Sequence, residues 1–338
     1  TSEVAIVGAV YAIGYSPDEM IELIRSPRFN LWLTGIIENK YRFYSLKMNE
    51  GADMMWVRFD IDFKKKEFKP ILPTNLIQPY QMDLAFLELF AGANAVCGRD
   101  FSKLMVPYRC VASDVASHEA YIMRDGDLGS AVRASMTYPF VFKPIIIDST
   151  LLFDGGFYNN FPWNVMLEDF KPDIIIGSKC AGNFKKPTED DLVSQVSNML
   201  SVETNYDLPE ELGILIETKF SNIGVLDFQK IDEAVDSGYH RTMELMPKIK
   251  ERIKARRPPD YVKYSRLMFK KKMPELNFKN VEVTGLSDGQ NKNVERIITR
   301  DRDERFTYGT FKSQFFTLIA PENVTPLYPT SRYASVTV

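Results

Sequence analysis

Residues 151–160 read LLFDGGFYNN, and the aspartate in this stretch decides how the rest of the chain is interpreted. Asp154 ends an apolar run and stands directly before Gly155 and Gly156. Asp-Gly pairs are common in turns, because glycine tolerates positive φ and the aspartate side chain accepts hydrogen bonds from nearby amides. A strand end is also where a catalytic carboxylate is commonly placed. Both interpretations of Asp154 are open at this point.

The sequence on either side of this turn predicts an α/β fold. Apolar runs at 108–115 and 173–180 predict strands, and 128–136 predicts a helix between them. Pro162 is placed to open a helix that crosses back over the sheet. Short apolar strands that alternate with helices indicate a mainly parallel central sheet covered on both faces.

The N-terminal residues predict two helices. Small residues at 5, 8, 9 and 12 share one helical face, which allows a helix to lie close to a sheet. The segment 16–19, SPDE, predicts the start of a second helix, with Ser16 and Glu19 as a capping box. Aromatic residues are concentrated at 31–59, and this region is interpreted either as a lipid-facing surface beside the active-site mouth or as a local aromatic core.

The C-terminal part has a different pattern. A long amphipathic helix is predicted over 228–256, broken at Pro247. Residues 258–275 are interpreted as a linker. Residues 276–338 predict a compact strand-helix-helix-strand unit, which we interpret as a second domain that is incomplete at its C-terminal edge. The first domain is expected to span 1–257.

Composition excludes several classes of protein. The 338 residues carry a formal net charge of -3, which argues against a dedicated nucleic-acid binder. Three cysteines, at 97, 110 and 180, have no CxxC spacing, so neither a metal site nor a disulfide framework is expected. No apolar run approaches the roughly 18 to 20 residues that span a bilayer. Because the sequence begins inside a structured motif, we expect that further residues precede Thr1.

The chain contains two histidines, and this limits the candidates for a general base. His118 lies in a polar connection and His240 on the long predicted helix, and neither is expected to be catalytic. A carboxylate acting directly on a hydroxyl is then the simplest hydrolytic pair. Ser2 supplies a candidate hydroxyl at the start of a helix, in the position of a nucleophile elbow, although an ordinary helix cap is the alternative interpretation.

Several motifs in a fixed order carry a family resemblance. They are TSEVAIVGAVYAIGYSPDEM at the N-terminus, followed by RCVASDV, AVRASMTYPFVFKP, LLFDGGFYNNFP and DIIIGS. Together they resemble the patatin-like phospholipase family, especially its bacterial members, over roughly residues 1–255. The resemblance implies a three-layer α/β sandwich and a lipid acyl hydrolase with a Ser-Asp dyad. Carried over to this chain, the dyad is Ser2 and Asp154, with Gly155 and Gly156 in the active-site turn.

The resemblance also implies a lipid ester substrate, peripheral membrane contact and no metal or organic cofactor. Two departures stand against it. Val4 occupies a position that is glycine in the family motif, and the family's Gly-rich oxyanion loop and first strand would precede Thr1. The alternative function is therefore a catalytically inactive patatin fold that serves as a binding or assembly module.

The unit at 276–338 resembles a POTRA domain. In some bacterial patatin-like proteins such a domain precedes an outer-membrane barrel. This second resemblance implies a location in the bacterial cell envelope, in the periplasm or at the outer membrane.

Overall fold

The computed structural model of the chain describes residues 2–41, 58–62, 67–71, 75–180, 188–189, 192–220, 230–278, 280–283, 287–299 and 306–319. In these residues the helices are α1 (Ser2–Ala12), α2 (Pro17–Arg25), α3 (Pro27–Thr34), α4 (Tyr80–Cys97), α5 (Leu128–Ser135), α6 (Trp163–Phe170), α7 (Leu192–Leu200), α8 (Ile231–Arg252), α9 (Pro259–Lys272), α10 (Asp288–Ile298) and α11 (Tyr308–Ile319). The strands are β1 (Arg58–Asp62), β2 (Glu67–Ile71), β3 (Asn75–Ile77), β4 (Cys110–Asp114), β5 (Glu119–Met123), β6 (Phe140–Phe142), β7 (Ile145–Ile147), β8 (Thr150–Asp154), β9 (Ile175–Lys179) and β10 (Gly213–Glu217).

The largest sheet of the described residues is antiparallel. Its four strands lie in the order β5-β4-β8-β7, and each neighbouring pair is antiparallel. Parallel pairing occurs between β9 and β10 and between β3 and β6. The expectation of a mainly parallel central sheet is therefore wrong for this part of the fold.

Short connections explain the antiparallel pairing of β7 with β8 and of β4 with β5. A parallel crossover needs about a dozen residues or more, whereas β7 and β8 are joined by Asp148 and Ser149 alone. Both of these residues have positive φ, 48° and 65°, as a two-residue hairpin turn with the twist of the strands requires. The turn between β4 and β5 is stabilised by Asp114, whose carboxylate accepts the N–H of Ala116 at 2.9 Å.

The main hydrophobic core lies between α1, α4, α5 and the sheet. Ala5, Ala9 and Ala12 of α1 are buried in it, as the small-residue pattern predicts. The predicted capping box of α2 is also confirmed. The Ser16 hydroxyl accepts the N–H of Glu19 at 3.2 Å, and the Glu19 carboxylate accepts the N–H of Ser16 at 2.7 Å.

Helix α8 continues through Pro247, so the predicted break at this proline is wrong. Packing of the last turn offsets the hydrogen bond that proline removes. Ile249 is buried against β10, in a cluster with Ile214 and Ile216. The guanidinium of Arg252 donates to the carbonyl oxygens of residues 210, 211 and 213, at 2.6 to 3.1 Å.

The segment interpreted as a linker contains helix α9, which packs on α1. Phe269 of α9 is buried in the main core. Two cations of α9 lie over aromatic rings near the end of α1, Arg266 over Tyr11 of the helix at 5.3 Å and Lys270 over Tyr15, which follows the helix, at 4.6 Å. These contacts hold residues 259–272 against the first domain as a helix.

The C-terminal unit packs on α4. Phe315 and Phe316 of α11 form a buried cluster with Leu84 and Leu87 of α4. The two helices predicted in this unit are confirmed as α10 and α11. The predicted strand near residue 277 is reduced, among the described residues, to one antiparallel bridge between Asn277 and Thr307. The last predicted strand lies outside the described residues.

Asp169, near the end of α6, connects this helix to the sheet. Its carboxylate accepts hydrogen bonds from the guanidinium groups of Arg109 and Arg124, the latter at 2.9 and 3.0 Å. The Arg109 guanidinium also lies 4.7 Å from the ring centre of Phe170. The hydrogen bonds from Arg124 and Arg109 lower the pKa of Asp169 to about 2.

Stability is therefore expected to fall in acid through Asp169. A lowered folded-state pKa stabilises the fold above the ordinary pKa of the group, and that contribution is lost as the pH falls towards 2. Asp169→Asn is expected to lower the free energy of unfolding at pH 5 by on the order of 1 kcal/mol, because solvent reaches Arg124, one of the two partners of Asp169, and screens part of the interaction. The difference from wild type should shrink between pH 4 and pH 2. Urea unfolding at these pH values measures it, with Asp173→Asn as the control, and a constant difference would contradict the assignment.

Candidate active site

Asp154 is the last residue of β8 and is 5% exposed. Its backbone N–H donates to the carbonyl oxygen of Thr137 at 2.9 Å. One carboxylate oxygen, Oδ1, accepts the N–H of Gly156 at 2.8 Å. The carboxylate is thus oriented by the turn that follows it, in a buried setting where electrostatic interactions are stronger than in water.

Gly155 allows this turn to lie directly on the neighbouring strand. A Cβ atom at position 155 would be 2.1 Å from the carbonyl oxygen of Val111 in β4, closer than atoms can approach. Glycine is required here for the close approach of the two backbones. The turn at 154–156 is thus compatible with both interpretations of Asp154. The Asp154 side chain makes the hydrogen bond of an Asx turn, and its carboxylate is also buried at a strand end.

A buried ion pair between Arg133 and Asp83 is connected to Thr137, the residue that accepts the backbone hydrogen bond of Asp154. Arg133 of α5 donates to Asp83 of α4 at 3.1 Å, to the hydroxyl of Thr137 at 2.7 Å and to the carbonyl oxygen of Lys143 at 2.9 Å. Burial raises the pKa of Asp83 to about 6, against the opposing effect of Arg133. Because the carbonyl of Thr137 accepts the N–H of Asp154, this network fixes the position of the strand end.

Tyr108 joins the sheet to the N-terminal half of α1. Its hydroxyl donates to the carbonyl oxygen of Ala5 at 2.9 Å, and both residues are buried. The ring lies against Gly8, where a Cβ atom would be 3.1 Å from Cε2. Tyr108 thus positions the first turns of α1, the helix that begins at Ser2.

Cys110 of β4 is buried in the same cluster as Tyr108. Burial raises the pKa of its thiol to about 11; hydrogen bonding to the Tyr108 and Ser135 side chains opposes this shift, and the charge of Asp154 adds to it. Ala112 of β4 pairs with Asp154 of β8, so their side chains project to the same face, and Ala112, Cys110 and Ala5 of α1 belong to one buried cluster. The N-terminal half of α1 and the end of β8 are therefore on the same side of the sheet.

The structure places Ser2 as the first residue of α1, at the end of the helix where developing negative charge is stabilised. The Ser2 side chain lies outside the described part of the structure, so its distance from Asp154 stays a prediction. Val4, which replaces a glycine of the family motif, has a 53% exposed side chain. It projects into solvent and does not occupy the core beside Tyr108.

The two histidines have surface positions. His118 lies in the turn between β4 and β5, has a φ of 59° and places Nδ1 3.1 Å from the hydroxyl of Tyr158. His240 lies on the exposed side of α8, with its ring 5.9 Å from that of Tyr239. The prediction that neither is catalytic stays a prediction.

A cleft of about 240 Å³ opens beside the segment that follows Asp154. Its walls carry aromatic and amide side chains and one carboxylate, from Tyr158, Asn159, Phe161, Trp163, Asn164, Glu203, Thr204 and Asn205. One wall of the cleft is formed by residues 158–164 and the other by residues 203–205. Asn160 joins them, because its backbone N–H donates to the Thr204 hydroxyl at 3.2 Å and its side chain donates to the Tyr206 hydroxyl at 2.7 Å. Aromatic and amide groups together can contact a ligand that has both apolar and polar parts.

Two aromatic side chains from the region 31–59 are described, and both pack locally. Trp32 is buried, with its ring centre 5.6 Å from that of Phe29. The ring of Tyr41 is 5.0 Å from that of Phe316. These contacts favour the local-core interpretation for the two residues. The side chains of the other aromatic residues between 42 and 59 lie outside the described part.

Sequence reasoning missed the residues that position the turn. Tyr108, Cys110 and Thr137 act through contacts between elements that are distant in the chain, and the sequence gives no signal for their pairing. In the part of the chain that the structure describes, no group of three or more histidine, cysteine, aspartate or glutamate side chains could hold a metal ion. No helix in that part is long and apolar enough to cross a membrane.

Residues 5–167 match the family model of patatin-like phospholipase. The resemblance inferred from the motifs is confirmed for these residues, which include Asp154 and end inside α6. Ser2 lies just before the match. The POTRA-like interpretation of 276–338 has no support from the comparisons.

Curated relatives are similar over parts of the chain. An uncharacterized NTE family protein of Mycobacterium tuberculosis is 30% identical over 156 residues, which cover 38% of this chain and 27% of the relative. A patatin-like phospholipase domain-containing protein of Caenorhabditis elegans is 37% identical over 65 residues, which cover 19% of this chain and 5% of the relative. An uncharacterized protein of Acanthamoeba polyphaga mimivirus is 23% identical over 236 residues, 68% of each chain. The chain thus matches about a quarter of the length of the mycobacterial relative.

Proposed function

We propose that this chain, whose residues 5–167 match patatin-like phospholipases, cleaves ester bonds of lipids as a phospholipase A or lysophospholipase. The observation that carries the proposal is the buried carboxylate of Asp154 at the end of β8. Gly155 allows its turn to lie directly on β4, and the carboxylate projects to the face of the sheet that α1 covers. This arrangement supports a dyad of Ser2 and Asp154.

In the proposed mechanism Asp154 accepts the proton of the Ser2 hydroxyl as its oxygen attacks the ester carbonyl. The alcohol part of the lipid leaves with a proton, and an acyl group remains on Ser2. Asp154 has by then returned the first proton to the leaving alcohol. Water attacks the acyl-enzyme and gives a proton to Asp154, which passes it to the Ser2 oxygen as the acyl–oxygen bond breaks and the fatty acid is released. The chemistry requires no electron transfer, and the proposed dyad needs no cofactor.

The N-terminus of α1 contributes to this mechanism through the backbone N–H groups of its first turn, which have no acceptor within the helix. These groups and the helix dipole stabilise the negative charge that develops on the carbonyl oxygen next to Ser2. We assign the polar part of the substrate to the cleft beside residues 158–164, whose amide and hydroxyl side chains can form hydrogen bonds with it.

A catalytically inactive binding or assembly module is the second candidate. Val4 favours it, because a glycine at this position of the family motif permits the tight turn after the serine. The exposed side chain of Val4 does not itself obstruct the described residues around Asp154. The reactivity of Ser2 distinguishes the two candidates.

Labelling with a fluorophosphonate tests the proposed function. The reagent modifies serine hydroxyls that are activated by a neighbouring base, so we expect one adduct on the peptide that contains Ser2. Mass spectrometry of the digested protein locates the adduct, and Ser2→Ala serves as the control. Absence of labelling in wild-type protein that hydrolyses no lipid ester would favour the inactive module.

The division into domains at 257 and 276 stays a prediction, although the contacts of α9 and α11 join the parts closely. The location in the cell envelope also stays a prediction, and it rests on the resemblance of 276–338 to a POTRA domain alone.

A further inference from the structure

Helix α9 has one buried and one exposed face, and the exposed face is apolar at its centre. Phe269 is buried in the main core. On the other side Tyr261, Tyr264 and Leu267 are 47%, 62% and 50% exposed. At 3.6 residues per turn, spacings of three residues bring these side chains to one side of the helix. Large apolar side chains in a group on a surface indicate an interaction site.

Basic residues surround this apolar strip. Residues 254–272 contain eight lysine or arginine residues and one acidic residue, Asp260. Lys263, Lys271 and Lys272 are exposed on α9 itself. Lys270 is paired with Glu19 at 2.7 Å, and Arg257 lies 4.6 Å from the ring centre of Tyr261. The surface therefore combines aromatic rings, a leucine and a strong excess of positive charge.

We propose that the exposed face of α9 docks the protein on a lipid surface that carries anionic head groups. Tyrosine and leucine side chains enter the interface between head groups and acyl chains, and lysine and arginine are attracted to the negative surface. The single acidic residue in 254–272 makes this charge complementarity specific for an anionic partner. The docking rests on the proposed function for its biological purpose, since a lipid hydrolase must reach its substrate at a lipid surface.

Co-sedimentation with vesicles tests the docking. Wild-type protein is expected to bind vesicles of phosphatidylcholine with about 30% phosphatidylglycerol, and to bind pure phosphatidylcholine vesicles much more weakly. Raising the salt from about 0.1 M to 1 M should release the protein, because the charges are screened. Substitution of Tyr261, Tyr264 and Leu267 by serine should weaken binding by at least about tenfold.

A charge variant and a matched control complete the test. Lys263→Gln, Lys271→Gln and Lys272→Gln together should weaken binding by about a hundredfold, at about 1 kcal/mol for each charge. Tyr239→Ser with Met243→Ser, which removes similarly exposed side chains from α8, should leave binding unchanged. Thermal unfolding verifies that each variant is folded.

Equal binding of wild type and both α9 variants would overturn the proposal, as would equal binding to neutral and anionic vesicles. Self-association that the serine variant abolishes, without vesicle binding, would assign the surface to a second copy of the chain and also overturn it. Failure of docking is distinguishable from failure of the proposed function. The α9 variants should retain hydrolysis of a soluble short-chain ester, and Asp154→Asn should retain vesicle binding.

Discussion

Asp154→Asn is expected to lower the hydrolysis of a short-chain ester by about a hundredfold to ten-thousandfold, the effect of removing a general base. Asparagine has the same shape as aspartate, and its side-chain oxygen can still accept the N–H of Gly156. It cannot accept the proton of the Ser2 hydroxyl. The rate of ester hydrolysis and the labelling of Ser2 by a fluorophosphonate should therefore fall together while the fold is retained.

A matched control for this variant is Asp148→Asn, in the hairpin turn that precedes β8. Asp148 is exposed and has a φ of 48°, a conformation that asparagine also adopts readily. The control should hydrolyse the ester as fast as wild type. If Asp154→Asn retained the wild-type rate and labelling, Asp154 would be only a turn residue, and the Ser-Asp mechanism would be wrong.

Gly155→Ala is expected to abolish activity and to destabilise the protein. The added methyl group would be 2.1 Å from the carbonyl oxygen of Val111, so the turn or β4 must move. Overpacking of this kind costs about 1 to 3 kcal/mol, and contact with backbone leaves little room for adjustment. A shift of the turn also moves the carboxylate of Asp154, so activity should be lost even at temperatures where the variant is folded.

Chemical denaturation and ester hydrolysis measure the two effects of this substitution. Gly238→Ala is the control, because the position is inside α8 and, among the described residues, no side chain and no backbone of another element lies within 4 Å of the added Cβ. That variant should be as active as wild type and more stable by up to about 1 kcal/mol, the difference in helix propensity. A Gly155→Ala protein with wild-type stability and activity would show that the turn is not fixed by this contact.

Local signals in the sequence predicted many elements but not their arrangement. The capping box at Ser16 and the helices α10 and α11 follow from residues that are neighbours in the chain. The antiparallel sheet was missed because an alternating order of strands and helices was taken to indicate parallel pairing, although the two-residue connection at 148–149 permits only a hairpin. The continuation of α8 through Pro247 depends on Ile249 and on strand β10, which no local pattern can reveal.

In the candidate site, too, residues with a local sequence pattern were predictable, and residues that act through long-range contacts were not. Asp154 and Gly155 were found from their own sequence, because a strand end followed by glycines has a recognisable pattern. Tyr108 and Thr137, which hold α1 and β8 in place, were not singled out, because their contacts join residues far apart in the chain. The pairing of Ser2 with Asp154 came from the family resemblance and has yet to be tested by experiment.

Helix α4 belongs to two hydrophobic clusters, and this has a consequence for cooperativity. One side of the helix, with Phe86 and Phe90, is part of the main core, and the other side, with Leu84 and Leu87, is covered by α11. Loss of either cluster would leave one side of α4 in water and would weaken the other cluster through the shared helix. Residues beyond the family match therefore contribute to the free energy that keeps Asp154 buried, and the boundaries of the matched family segment are not the boundaries of a unit that unfolds independently.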